Sequence, residues 1–162
     1  MGAEGKKSGG PTMLWHYTVM ERLQRILRDG ELRPATSGKP SRVKSAVWFS
    51  SHSAWEASAN RWWHDDLGER NVRLNKDQPH VLGGGLVRIG VTPDVAPHDW
   101  KAYRRLSGIS ADRAKAIYDE AVSAGARPGE WFATFDAVPR TKWLAVEILE
   151  NENWVPYKLA AT

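Results

Sequence analysis

The apolar run Met13-Leu14-Trp15-His16-Tyr17-Thr18 passes without a loop into an amphipathic stretch, and this junction constrains the fold more than any other feature. The run reads as a strand. From Val19 to Asp29 the apolar residues Val19, Met20, Leu23, Ile26 and Leu27 recur at helical spacing. Thr18 is positioned to cap that helix, and Glu21, three residues on, would complete a capping box. Gly30 supplies a C-terminal stop. A strand that feeds directly into a helix requires a sheet with a helical layer against it. It also holds His16 at a rigid junction, where a side chain gains most from positioning.

The remaining pattern alternates in the same way. Ser45 to Ser51 reads as a compact strand, followed by a helix from Ser53 to Trp62. Leu86 to Val91 alternates as a strand. The glycines at 83–85 precede a strand rather than a helix and lack a following Lys-Ser/Thr, which excludes a phosphate-binding loop. His98 to Leu106 reads as a short helix. Ser110 caps a longer one, Ala111 to Ala124, stopped by Gly125, with Ala114, Ile117, Ala121 and Val122 as its apolar face. Trp131 to Phe135 and Trp143 to Leu149 read as strands, and Asn151 to Asn153 turns the latter into a hairpin with Trp154 to Tyr157. About six strands and three or four helices predict an α+β fold. It would be a single domain, residues 13–162, with a split, mostly antiparallel sheet and flanking helices. Residues 1–12, glycine-rich and polar, read as a disordered tail.

Composition narrows the chemistry. A chain of 162 residues without cysteine has no disulfide framework, thiol nucleophile or thiolate metal site. No apolar stretch has membrane-spanning length, and a cytoplasmic location without membrane partners is the expectation. Nine tryptophans are the compositional outlier. Most are expected in the core, since aromatic rings bury large areas, with one or two left as flat walls for a ring-shaped ligand. The net charge of +4 is concentrated partly in Lys6, Lys7, Lys39, Arg42 and Lys44. It fits either a solvated surface or attraction to a phosphate-rich ligand. No single segment reads as a Lys/Arg-rich helix. His64, Asp65 and Asp66 with His80 lack the spacing of a metal site, and no metal is expected.

Two segments together, His16-Tyr17-Thr18 and Val47-Trp48-Phe49-Ser50, resemble the first and second motifs of the ADP-ribosyltransferase superfamily, in its diphtheria-toxin-like and poly-ADP-ribose-polymerase-like branch. Those motifs are His-x-Thr/Ser and an aromatic-bearing strand of the type Tyr-Phe-Ala. An acidic residue on a late strand completes the pattern, and Glu147 in Trp143-Leu144-Ala145-Val146-Glu147-Ile148 is the candidate, with Glu56 and Asp136 as rivals. The resemblance implies NAD as substrate, without a metal, and mono-ADP-ribosylation of a macromolecular acceptor, protein or nucleic acid, with NAD hydrolysis as a further reaction. Small bacterial or phage proteins of this kind act as toxins or effectors.

By the same resemblance, His16 contacts the adenosine-side ribose and the Tyr17 backbone pairs with the nicotinamide amide, with Thr18 close by. Trp48 stands where the family usually has tyrosine. Phe49 and Ser50 line the same strand, and Ser53 or Ser58 reads the amide. Cleaving the nicotinamide–ribose bond develops positive charge on the sugar, which a carboxylate stabilises. Two other readings remain: a catalytically inactive module of this fold that binds a nucleotide or partner, and an NAD-using nucleic-acid-modifying enzyme of the RNA 2′-phosphotransferase kind.

Overall fold

A computed structural model describes residues 11–34, 42–53 and 85–159. Strand β1 (Leu14–Val19) leads into helix α1 (Met20–Asp29) and the short β2 (Glu31–Leu32). Next come β3 (Val47–Ser50), β4 (Leu86–Val91) and β5 (His98–Asp99), then helices α2 (Trp100–Ser107) and α3 (Ala111–Ser123). The chain continues through β6 (Trp131–Thr134), β7 (Val138–Pro139), β8 (Ala145–Glu150) and β9 (Asn153–Pro156). Seven strands form one sheet in the order β5-β6-β3-β1-β4-β8-β9, and β2 and β7 form a small second sheet. Every described pairing is antiparallel. The fold is α+β, as the alternating pattern requires.

Alternation sorts the side chains to two faces. On the first face Leu14, Val47, Phe49, Val87, Ile89, Val91 and Val146 join Leu23 of α1 in the larger core. On the second face Trp131 and Ala133 of β6 meet Trp100 and Tyr103 of α2 and Ala114 and Ala121 of α3. The β1–β4 ladder runs unbroken from Leu14↔Val91 to Val19↔Leu86. The β1–β3 ladder is registered at one pair, Trp15↔Ser50.

The strand–helix junction lies one residue later than the sequence indicates. Thr18 and Val19 pair with Val87 and Leu86, so both belong to the sheet. Val19 occupies the cap position in extended conformation, without a side-chain capping bond. Thr18 is buried, and its Oγ1 lacks a hydrogen-bond partner among the described residues. The capping box is therefore not formed, because ladder pairing outweighs one capping bond. The C-terminal stop is formed: Gly30 has φ 77° and its N–H reaches Ile26 O.

Elsewhere the boundaries shift for similar reasons. His98 and Asp99 pair with β6 before the helix begins, and Asp99 then caps α2 through the Ala102 N–H at 2.9 Å. Ser110 caps α3 as its sequence indicates, accepting from the Arg113 N–H at 3.1 Å. Val122, expected on the apolar face of α3, is 49% exposed. Strand β8 starts at Ala145 rather than Trp143, because Arg140–Lys142 forms a 3-10 turn. The helix expected over Ser53 to Trp62 lies outside the described residues beyond Ser53.

Candidate functional site

His16 occupies the centre of the sheet, on the first face, opposite Phe49 across the β1–β3 junction. The two rings meet edge to face at 5.8 Å between centroids. Nδ1 of His16 lies 2.8 Å from the carbonyl oxygen of Trp48. A carbonyl only accepts, so Nδ1 carries the proton and Nε2 is left as an acceptor. Burial, partly offset by the hydrogen bond to the Trp48 carbonyl and reinforced by the nearby positive charge of Arg22, lowers the His16 pKa to about 4. The ring is therefore neutral at physiological pH. It bridges two strands through a side chain at the level where their ladder has only the Trp15↔Ser50 pair.

Tyr17 points to the other face. Its hydroxyl donates to the His52 carbonyl at 2.5 Å. The Met20 N–H reaches Gly85 O at 2.9 Å, continuing the β1–β4 ladder. Even-numbered residues of β1 thus turn their peptide groups to β4, and Tyr17 turns its own toward β3. Thr18 lies on the His16 face. Ser50 is fully buried and its Oγ accepts from the His52 N–H at 3.0 Å. The exposed Ser53 contributes its carbonyl to Arg88. Ser58 and Glu56 lie outside the described residues.

Trp48 sits on the second face in an aromatic cluster. Its ring packs at 4.6 Å from Tyr103, 6.0 Å from Trp131 and 6.1 Å from Trp100. Its backbone serves His16 while its indole packs under α2. The indole is thus not brought to the imidazole side of the sheet.

Glu147 is not brought to His16 either. It pairs with Arg88, and Arg88 pairs with Tyr17, whereas His16 pairs with Ile89. Glu147 and His16 thus lie on opposite faces. The Glu147 carboxylate accepts from Arg88 at 2.6 and 2.8 Å. The Arg88 guanidinium is itself stacked between Trp15, at 3.8 Å, and Trp154, at 4.5 Å. This is a partly buried ion pair sandwiched by indoles. Gly90, opposite Trp15, makes room for it: a Cβ there would come 2.7 Å from the Trp15 ring. Asp136, the other described rival, is exposed beyond the C-terminal end of β6.

A further acid, Glu130, stands beside the second-motif strand. The Ser51 N–H donates to Glu130 O at 2.9 Å, extending the β3–β6 register by one pair beyond Ser50↔Trp131. Glu130 is also the last residue of the 3-10 turn Pro128–Glu130, so the strand alternation that sets the face of Phe132 begins only at Trp131. Strand spacing and rise put the Glu130 Cα roughly 12 Å from that of His16. Its carboxylate makes no hydrogen bond or ion pair among the described residues. The signal in the sequence is an acid directly before an apolar strand, Pro128-Gly129-Glu130-Trp131. A search for acids inside strands passes over it.

Among the described residues no three His, Asp or Glu side chains gather to hold a metal. His64, Asp65, Asp66 and His80 lie outside those residues. No helix among the described residues is long and apolar enough to cross a membrane.

No family model, curated protein or solved structure matches the chain. The reading of the site therefore rests on its geometry and on the two short motifs.

Proposed function

We propose that this chain cleaves NAD at the nicotinamide–ribose bond and transfers ADP-ribose to a macromolecular acceptor, with hydrolysis as a further outcome. The observation that carries this reading is the His16 imidazole held by the Trp48 carbonyl. Through it the first and second motifs, far apart in sequence, share one bond at the centre of the sheet.

In this reading the neutral His16 accepts a ribose hydroxyl through Nε2, and its fixed tautomer makes the sugar orientation reproducible. The Tyr17 peptide group, turned toward β3, reads the nicotinamide amide. Glu130, rather than Glu147, supplies the carboxylate. Its negative charge stabilises the cationic sugar as nicotinamide leaves, and it can orient the acceptor hydroxyl or water toward the anomeric carbon. Glu147 is already neutralised by Arg88, which disfavours it for that role.

One observation favours the inactive binding module as a second reading. The Trp48 indole is engaged by Tyr103, Trp100 and Trp131, so it does not serve as the nicotinamide wall that the second motif usually offers.

Nicotinamide release from NAD, followed with wild type, His16→Ala, Glu130→Gln and Glu147→Gln, separates these readings. The expected result is release by wild type, a loss of at least about 100-fold in Glu130→Gln, of the order seen when one stabilising group is removed from a transition state, and a strong loss in His16→Ala. Glu147→Gln should lose thermal stability but keep turnover. Retained activity in Glu130→Gln with loss in Glu147→Gln would reverse the assignment of the acid. No release by wild type, combined with measurable NAD binding that His16→Ala weakens, would establish the binding module instead.

A further inference from the structure

Five exposed cations are carried by α2 and by the segment fixed against its C-terminal end, on the second face of the sheet. Lys101, Arg104 and Arg105 are all exposed. At 100° per residue they occupy one flank of the helix, beside the buried row Trp100, Tyr103 and Ser107. Arg42 and Lys44 come from a different segment. The Lys44 N–H donates to Ser107 O at 2.8 Å, and the Arg42 carbonyl lies 3.1 Å from the Cβ position of Gly108. Both residues are thus fixed against the C-terminal end of α2, and both are exposed. The Lys44 ammonium sits 5.5 Å over the Phe135 ring.

None of the five is in an ion pair among the described residues. Ion pairs elsewhere among the described residues include those of Arg33 with Asp29 and Glu31, Arg88 with Glu147, and Lys115 with Asp119. Asp99, the nearest acid in sequence, already caps α2 at its other end. Sequence reading finds no basic helix here, because two of the five charges arrive from a segment more than fifty residues earlier.

We infer that this surface, on the face of the sheet opposite His16, binds the phosphate backbone of a nucleic acid. The inference does not rest on the NAD-cleaving reading. Helix α2 is about 12 Å long, a length over which one strand of a duplex presents about three or four phosphates. Three of the five cations are arginines, whose planar forks match phosphate oxygens. An acidic protein partner would need an apolar centre to its interface. Leu106, the exposed apolar residue of α2, is on the opposite flank, and the cationic flank itself has none.

The test is fluorescence anisotropy with labelled single-stranded and duplex DNA and RNA oligonucleotides of about 20 nucleotides, without NAD, across 50–200 mM salt. Wild type should bind with an affinity that falls steeply with salt. Arg104→Gln/Arg105→Gln and Arg42→Gln/Lys44→Gln should each reduce the slope of log affinity against log salt by between about 1 and 2, depending on whether single strand or duplex is bound. Arg25→Gln/Arg28→Gln on α1 removes the same charge and should leave the slope nearly unchanged. Thermal melts check that each variant is folded. The inference is overturned if wild type does not bind, if the α1 variant weakens binding as much as the α2 variants, or if polyglutamate competes as well as the oligonucleotide.

Discussion

Arg88 shows how a single residue can look functional for structural reasons. A buried guanidinium beside a carboxylate, framed by two tryptophans, has the features of a ligand site. Its bonds to Glu147 and to the Ser53 carbonyl are all made within the chain. Removing one partner of such a pair leaves a charge half-buried and unmatched. Arg88→Met should therefore cost about 3 kcal/mol, while Arg88→Met with Glu147→Leu should recover most of it. Urea unfolding of the three proteins measures both numbers. Equal loss in the single and double variants would mean that the tryptophan stacking, not the ion pair, carries the stability. Glu147 was legible in the sequence as an unusual acid in an apolar strand. Its partner was not, because Arg88 comes from a strand nearly sixty residues away and only the register reveals their meeting.

The elements divide between those set by local chemistry and those set by pairing. Helix α3 starts and ends where Ser110 and Gly125 put it, since a cap and a left-handed glycine act within one turn. Helix α1 starts where the β1–β4 ladder ends, and no local signal records that ladder. Strands β2 and β7, two residues each, are invisible to alternation and exist because Leu32 finds Val138. The β8–β9 hairpin turns through Asn151 and Glu152, with φ of 51° and 67°. Two consecutive left-handed residues match a type I′ turn, in which Asn-Gly is the preferred pair. Relieving the strain at Glu152 by Glu152→Gly is expected to add about 0.5–1 kcal/mol and raise the melting temperature by roughly 2 °C. Calorimetry would show it, and a lower melting temperature would mean that contacts of the Glu152 side chain outweigh its backbone strain.

For the whole molecule, the same His16 that marks the site links folding to pH. Its pKa is near 6.5 when unfolded and about 4 when folded. Between those values the unfolded chain holds a proton that the native chain does not, so stability declines as pH falls from about 6.5 toward 4. The decline should be smaller in His16→Gln, and urea midpoints at pH 7.5 and 5 compare the two. A wild type and variant with identical pH profiles would show that the ring is protonated as easily in the fold as outside it. The α+β class could be anticipated from periodicity, whereas the central place of the two motif strands could not, since periodicity does not give the order of a sheet. The face on which each motif residue falls could not, since alternation assigns sides only once the pairing register is known.

The order β3-β1-β4 has a consequence for how the protein is made. Strand β1 is synthesised before either neighbour, yet it is seated between residues 47–50 and 86–91. Until the second of these emerges, Leu14, Trp15, Tyr17 and Val19 have no complete sheet to enter. Long-range pairing of this kind folds slowly and leaves apolar segments exposed in the interval. Any chain interrupted before β4 would carry both motifs and still lack the ladder that holds β1 between its neighbours.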